Sequence, residues 1–302
     1  KKDVINKAIE GSDIVHMLLP FKIQKKAKKL ADAKGIATTA AFHLQPENIT
    51  ATLHLDRFDF ITDKLYGLFR KFYDTFTHVH CPSKMIASEL ERQNYASNLH
   101  VISNGVALHF KPEPTDKPDS LEDKYVLLMI GRYSREKRQD LVIEAVRKSE
   151  HEKNIQIIFA GKGPNRKSIE SLGSTLTNPP IMQFYEQDDL QKIINYSDLY
   201  VHASDIEIEA ISCIEAFSCG LVPIISDSLK SATNQFALSK ANLFEKNNPS
   251  DLAFRIDTLL NHPEEKASLS KAYIEYAKNF SLDRSVKRLE TMFYQALADH
   301  EK

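Results

Sequence analysis

Short apolar runs alternate with amphipathic stretches along most of the chain, and the second half shows the alternation most cleanly. Tyr125 to Ile130 (YVLLMI) is a six-residue apolar run closed by Gly131, the length and composition of a buried strand rather than a helix. Asp140 to Lys148 places Leu141, Val142, Ala145 and Val146 on one helical face. Ile155 to Ala160 predicts a second strand, ending at Gly161-Lys162-Gly163-Pro164, and Asp188 or Asp189 is expected to cap a helix running to Tyr196. Leu199 to Ala203 reads as a strand, Ile211 to Cys219 as a helix stopped by Gly220, and Leu221 to Ile225 as the next strand. Three helices follow, with starts near Ser250, Pro263 and Ser281.

The first half repeats this logic in a shorter form. Helices are predicted at Val4 to Glu10, Ile23 to Ala33, Leu65 to Phe76 and from a Ser83 cap to Gln93. Strands are predicted at Asp13 to Leu18, Ile36 to Ala41, His78 to Cys81 and Leu99 to Ile102. Phe110 to Lys124 (FKPEPTDKPDSLEDK) carries three prolines and many charges and reads as a linker. The pattern predicts an α/β protein of two Rossmann-like, doubly wound parallel-sheet domains, residues 1–115 and 116–302. Roughly 110 residues is short for such a domain, so the first is expected to lack opening βα units.

Composition narrows the class. The 302 residues are 42% hydrophobic and 27% charged, as in ordinary globular domains. Cys81, Cys213 and Cys219 cannot build a disulfide framework, and Cys213 and Cys219 lack the spacing of metal ligands. No apolar run reaches the roughly 18 residues of a membrane span, and no signal-peptide pattern is present. The net charge of −1 is unevenly spread: residues 1–115 hold 16 Lys and Arg against 12 Asp and Glu. A basic first half suits an anionic surface, and solvated lysines account for it equally well. Near-neutral overall charge and the lack of a recognised module disfavour nucleic acid as partner.

The chemistry concentrates in Ser204 to Gly220, SDIEIEAISCIEAFSCG, between a strand and a helix. Glu207 and Glu215 stand eight apart, the first expected in the loop and the second in the helix. Ionised carboxylates accept hydrogen bonds from hydroxyls, so one can hold a transferred sugar and the other a ribose. The helix start between them, at Ala210 and Ile211, offers backbone N–H groups to a diphosphate. Acidic residues also favour a helix N-terminus for structural reasons alone. Gly131-Arg132 closes the first strand of this domain and Lys137 follows five residues later, cations suited to charge on a departing nucleoside diphosphate. Gly161 and Gly163 mark a second strand-end turn. No strand–GxGxxG–helix pattern with a following acid supports a dinucleotide oxidoreductase.

These motifs together resemble the family 4 (GT4) glycosyltransferases, retaining enzymes of the two-domain GT-B fold. The resemblance rests on Asn104-Gly105-Val106, Gly131-Arg132 with Lys137, Gly161-Lys162-Gly163-Pro164, and Glu207 to Glu215 as the family's E-x7-E, continued by Ala216, Gly220 and Pro223. GRYSREK, EAISCIEA and SATNQFAL are similar to bacterial glycolipid synthases that glucosylate cholesterol or diacylglycerol. The resemblance implies an acceptor domain and a donor domain facing across a cleft, the last helix crossing back to the first. Glu207 would contact the donor sugar, Glu215 the ribose of UDP, and Arg132 and Lys137 the diphosphate. His43 would line the cleft near the reacting carbon. No cofactor and no metal are implied, since nothing is similar to a DxD motif. Two departures stand out: Glu209-Ala210 replaces a common Phe-Gly, and Arg138 replaces a common Gly.

Phe21 to Lys34 carries Lys22, Lys25, Lys26, Lys28 and Lys29, with Ile23, Ala27, Leu30 and Ala31 expected on the opposite face. Such a helix can lie on an anionic leaflet or pack on the sheet as a solvated helix. Phe69, Phe72, Tyr73 and Phe76 could likewise touch lipid, with a core helix the favoured reading. The expected activity is transfer of a hexose, glucose by subgroup, from a UDP-sugar to a diacylglycerol or sterol acceptor, by a cytoplasmic protein peripheral to the inner face of the membrane. Transfer to a polysaccharide or polyprenyl-linked saccharide, and a silent nucleotide-sugar-binding partner, stay open as alternatives.

Overall fold

The computed structural model describes residues 2–55 and 57–301. The chain divides into two compact units, one formed by residues up to Gly105 together with those from Asp283 onward, the other by Val106–Leu282. The segment expected as a linker packs on the second unit instead. Phe110 and Leu121 are buried, and the Lys117 ammonium lies 2.7 Å from Asp198.

In the first unit four parallel strands, β1 (Ile14–Met17), β2 (Ala37–Ala41), β3 (His78–Cys81) and β4 (Asn98–Val101), lie side by side in chain order. Their helices are α1 (Lys2–Ile9), α2 (Lys22–Ala33), α3 (Pro46–Thr52), α4 (Asp59–Tyr73) and α5 (Lys84–Arg92). Ser83 caps α5, its Oγ accepting from the Ile86 N–H at 3.3 Å. The periodic stripe Tyr66, Phe69, Phe72 and Tyr73 of α4, with Phe76 beyond it, is core, which removes these rings from contact with lipid. In α2 the outward lysines are Lys22, Lys25, Lys26 and Lys29, whereas Lys28 turns back to Asp32 (2.6 Å) and sits over the Phe76 ring. Ile23, expected on the packed face, is 62% exposed among those lysines. The C-terminal helix, Leu282–His300, belongs to this unit from Asp283 onward: Phe293 meets the His16 ring, Asp299 accepts from His78 at 3.1 Å, and Arg288 donates to the Val101 carbonyl at 2.7 Å.

The second unit is a six-stranded parallel sheet. Its elements run β5 (Tyr125–Ile130), α6 (Gln139–Lys148), β6 (Ile155–Ala160), α7 (Arg166–Gly173), β7 (Ile181–Gln183), α8 (Gln187–Tyr196), β8 (Leu199–His202), α9 (Ile211–Ser218), β9 (Pro223–Ser226), β10 (Leu243–Phe244), α10 (Pro249–Asn261) and α11 (Pro263–Ala277). The spatial order β7-β6-β5-β8-β9-β10 is the doubly wound order that reverses beside the first strand. β5 and β8 are therefore neighbours, with Leu127 opposite Leu199 and Leu128 opposite Tyr200. The sequence reading missed α3, α7 and the short strands β7 and β10. It also misassigned one cap: α8 starts at Gln187 after Glu186, and Asp188 and Asp189 lie inside its first turn.

Packing fixes the helix that carries Glu215. Phe217 of α9 lies against Tyr273 (5.4 Å), Phe236 (5.6 Å), Tyr276 (5.8 Å) and Phe280 (5.9 Å), ring centroid to centroid. Gly220, at φ +82, ends this helix in a backbone conformation that side chains rarely adopt.

Candidate active site

In an open α/β sheet ligands bind beyond the carboxyl ends of the strands, where the strand order reverses. In the second unit that place lies between β5 and β8, and the loops after these strands carry the residues of interest. Gly131, Arg132, Lys137 and Arg138 follow β5, and Asp205, Glu207 and Ala210 follow β8.

The two loops are joined by charge. The Lys137 ammonium donates to Oε2 of Glu207. Arg138 Nη1 reaches Asp205 at 3.3 Å, and its Nη2 reaches Asp140 at 3.1 Å. Glu207 is anchored by its backbone as well. Its N–H donates to the Lys230 carbonyl at 3.3 Å, and its carbonyl accepts from the Ala232 N–H at 2.8 Å. Burial alone would raise the Glu207 pKa, but the Lys137 ammonium and the His202 ring outweigh it and hold the carboxyl down at about 2.

Glu215, eight residues on, has the opposite environment. It sits half-buried on α9, makes no side-chain hydrogen bond or ion pair among the described residues, and is pushed up to about 7 by burial. The Arg132 side chain is exposed, while its carbonyl accepts from Gln139 at 2.9 Å, which fixes the backbone and leaves the guanidinium facing solvent. Ile211, 40% exposed, opens α9; the Cys213 N–H donates back to the Ala210 carbonyl at 2.9 Å, while those of Ile211 and Ser212 precede the first helical hydrogen bond.

Gly161 and Gly163 do their work as points of close approach between loops. A Cβ on Gly161 would fall 2.0 Å from the Gly131 carbonyl oxygen, and one on Gly163 2.4 Å from that of Tyr133. The Tyr133 N–H donates to the Lys162 carbonyl at 3.2 Å, so the loop after β6 props the loop that carries Arg132. Beside them a cavity of about 250 Å³ is lined by Gly131, Arg132, Lys162, Phe184, Tyr185 and Leu190.

Both departures noted in the sequence are left-handed residues. Arg138 stands at φ 60, ψ 41 and Ala210 at φ 65, ψ 67, and Ala210 is the residue that precedes α9. A non-glycine residue held there carries about 1–2 kcal/mol of strain. Glu209 is buried, 3% exposed.

His43 belongs to the first unit, at the carboxyl end of β2. It is half-buried, packs edge-on against the His80 ring (5.3 Å), and is pushed down by burial. Sequence reasoning passed over Asp205 and His202. His202 ends β8, is 1% exposed, and its Nε2 lies 3.5 Å from Oε2 of Glu207. Within the run LYVH it gave no signal apart from its place at a strand end. Among the described residues no group of three or more His, Cys, Asp or Glu is placed to hold a metal ion. The three cysteines are buried free thiols. No described helix is long and apolar enough to cross a membrane.

The comparisons with known proteins fall on this same region. The family model described as Glycosyl transferases group 1 matches residues 111–280. The GPI3 subunit of the phosphatidylinositol N-acetylglucosaminyltransferase of Saccharomyces cerevisiae is 31% identical over 143 residues, 41% of this chain and 29% of that protein. The chain thus spans less than a third of the length of that curated relative. Among solved structures, the catalytic domain of the cholesterol-alpha-glucosyltransferase of Helicobacter pylori is 40% identical, covering 52% of this chain and 99% of its own, with a TM-score of 0.51. HepE of Anabaena, solved with UDP-glucose, is 16% identical with a TM-score of 0.80, over 97% of this chain and 81% of its own; that likeness is one of fold, and the fold is GT-B. The match to the family model takes in the whole site built on β5, β6, β8 and α9, and the chain belongs to the Glycosyl transferases group 1 family.

Proposed function

We propose that the protein is a retaining, GT4-type hexosyltransferase that moves glucose from UDP-glucose to the hydroxyl of a membrane lipid, without a metal. The observation that carries the reading is the Lys137–Glu207 pair at the reversal between β5 and β8, with Arg132 free beside it and Glu215 on the helix that follows. In this reading Glu207 accepts from hydroxyls of the glucose and Glu215 from those of the ribose. The diphosphate lies between the start of α9 at Ala210 and Ile211 and the cations Arg132 and Lys137, and the cavity beside Gly131 and Gly161 takes the uracil.

The acceptor oxygen forms its bond to the anomeric carbon on the face from which UDP leaves. The bond from that carbon to the phosphate oxygen breaks, and its electron pair departs with UDP. The acceptor's proton passes to the leaving phosphate. Arg132 and Lys137 stabilise the charge that develops there. In the first unit His43, whose charged form burial disfavours, is the residue assigned to the acceptor side in this reading. The acceptor class is supported by the 40% identity to a protein named for cholesterol and by a relative named for phosphatidylinositol. The exposed row Lys22, Lys25, Lys26 and Lys29, with Phe21 (53% exposed) and Ile23 beside it, suits the anionic cytoplasmic leaflet of a bilayer.

Radiolabelled UDP-glucose incubated with liposomes containing cholesterol or diacylglycerol tests the reading. Label is expected in the lipid extract, and is expected to vanish in Glu207→Ala and Arg132→Ala. Transfer of label only to a soluble or polyprenyl-linked saccharide would overturn the lipid acceptor and keep the donor site.

A further inference from the structure

A buried histidine outside the motifs faces the donor-site carboxylate. His202 closes β8 with 1% of its surface exposed, and its Nε2 has no hydrogen-bond partner within the geometric limits although it lies 3.5 Å from Oε2 of Glu207. The ring is oriented from its other edge. Nδ1 lies 3.2 Å from the hydroxyl of Tyr200, which is itself fully buried, and that hydroxyl lies 3.1 Å from Oγ of Ser212 in the first turn of α9. One polar chain thus runs from the helix that carries Glu215, through β8, to Glu207 and on to Lys137.

The chemistry of the partners assigns the ring's proton. A carboxylate is acceptor-only, so the nitrogen facing Glu207 carries the hydrogen; Nδ1 is then an acceptor, and the single hydrogen of the Tyr200 hydroxyl is directed at Nδ1 or at Ser212 Oγ, both within reach. Burial disfavours the charged imidazole, which keeps the ring a neutral donor. Among the described residues, the titratable groups whose interaction with Glu207 is resolved include Lys137 from the loop after β5, His202 and Tyr200 from β8, and Cys213 from α9. Lys137 alone among them is placed to serve two anions, the Glu207 carboxylate and an incoming diphosphate.

We propose that His202 is a positioning residue for Glu207, whose Nε2–H keeps the carboxylate ionised and aimed at the donor sugar when Lys137 turns to the diphosphate. The inference rests on the reading of Glu207 as the sugar-contacting residue. UDP contains the diphosphate and no hexose, so the two ligands separate the role of His202 from general damage to the site.

The test uses calorimetry with UDP and with UDP-glucose on the wild-type chain, His202→Leu, His202→Gln and the milder Tyr200→Phe. Alongside it, the Glu207 carboxyl is titrated by ¹³C NMR in the free proteins, with Glu207→Gln assigning the signal. In His202→Leu the Kd for UDP-glucose is expected to rise roughly tenfold with UDP unchanged, the size of one hydrogen bond to a charged group. His202→Gln, which retains an N–H, is expected to recover most of this, and Tyr200→Phe to lose about threefold by the same rule. The Glu207 midpoint is expected to climb in His202→Leu, and further when Lys137→Met is added. Equal affinity for UDP-glucose in wild type and His202→Leu, or parallel loss of UDP and UDP-glucose, would overturn the proposal. If the wild type binds UDP but not UDP-glucose, the donor-sugar reading of Glu207 fails and takes the aim toward sugar with it. A Glu207 midpoint unmoved by His202→Leu overturns the positioning role whatever the ligand data.

Discussion

Arg138 spans from the loop after β5 to the loop after β8, its Nη1 3.3 Å from Oδ2 of Asp205, while its own backbone is left-handed at φ 60. The side chain also donates to Asn247 and pairs with Asp140. These contacts offset a conformation that glycine would adopt without strain. Ala210, at φ 65, has only a methyl group and no such compensation.

Ala210→Gly is therefore expected to stabilise the protein by about 0.5–1 kcal/mol, the left-handed strain less the extra chain entropy of glycine. Arg138→Gly relieves the same strain but removes the bridge to Asp205, and is expected to destabilise by about 1–2 kcal/mol, since the Arg138 side chain is 19% exposed. Denaturant midpoints of the two variants check this. A loss of stability in Ala210→Gly would contradict it.

Gly161→Ala is expected to be severe for a different reason. Its new Cβ would meet the Gly131 carbonyl carbon at 2.9 Å and the oxygen at 2.0 Å, both backbone atoms that move only if the loops part. A destabilisation of at least about 3 kcal/mol and a weakened donor site are expected together, because the displaced loop carries Arg132. Gly67→Ala is the control. It lies within α4 with nothing within 4 Å of the new methyl, and should stabilise by about 1 kcal/mol. Thermal unfolding of both, with UDP binding for the first, measures the contrast.

The sequence carried the strands of four to six apolar residues and the helices with a strong 3.6 period, because burial on both sheet faces writes those patterns plainly. It did not carry β7, three residues long, or β10, two residues long, which are edge strands made by pairing with β6 and β9 rather than by a local signal. Glu207, Glu215, Arg132 and Lys137 stood out in the sequence through their strand-end positions together with the resemblance to the family. That Lys137 and Glu207 touch was not legible, for they lie 70 residues apart and meet only because the strand order sets β8 beside β5. His202 was illegible because a single histidine in an apolar strand reads as core until its neighbour is known. The basic helix was misread at Ile23 and Lys28, since a periodic pattern cannot say which flank of a helix the sheet covers.

The ribose contact proposed for Glu215 would link donor binding to pH. Burial raises its carboxyl from 4.5 to about 7, so near neutrality it is partly protonated in the free protein. A ribose held by this group needs the ionised acceptor. Affinity for UDP is then expected to rise with pH through about 7, with a proton released on binding below that point. Calorimetry in buffers of different ionisation heat counts the proton. Glu215→Gln is expected to bind about tenfold more weakly and to lose the pH dependence. Proton release unchanged in Glu215→Gln would assign the linkage elsewhere.

The first unit has its own acid sensitivity, set by paired imidazoles. Burial pushes His16 down to about 4, helped by repulsion from His80 and His43. Burial also brings His80 to about 4, against the opposing pull of its hydrogen bond to the Ile102 carbonyl (2.6 Å). Both folded pKa values lie below the unfolded value of 6.5, so the unfolded chain binds more protons between these limits. The stabilisation is present above pH 6.5 and is lost as pH falls toward 4. The protection factors of the amides of β1–β4 are therefore expected to fall between pH 6.5 and 4, after correction for intrinsic exchange, which itself slows over this range. His16→Asn keeps a polar atom near Thr39, which now contacts His16 Nδ1 at 2.8 Å, and removes the titrating ring. It should flatten roughly half of that slope, one of the two groups having gone. Equal protection of these strands at pH 5 and pH 7 in the wild type would show that the imidazoles are not held neutral by the fold.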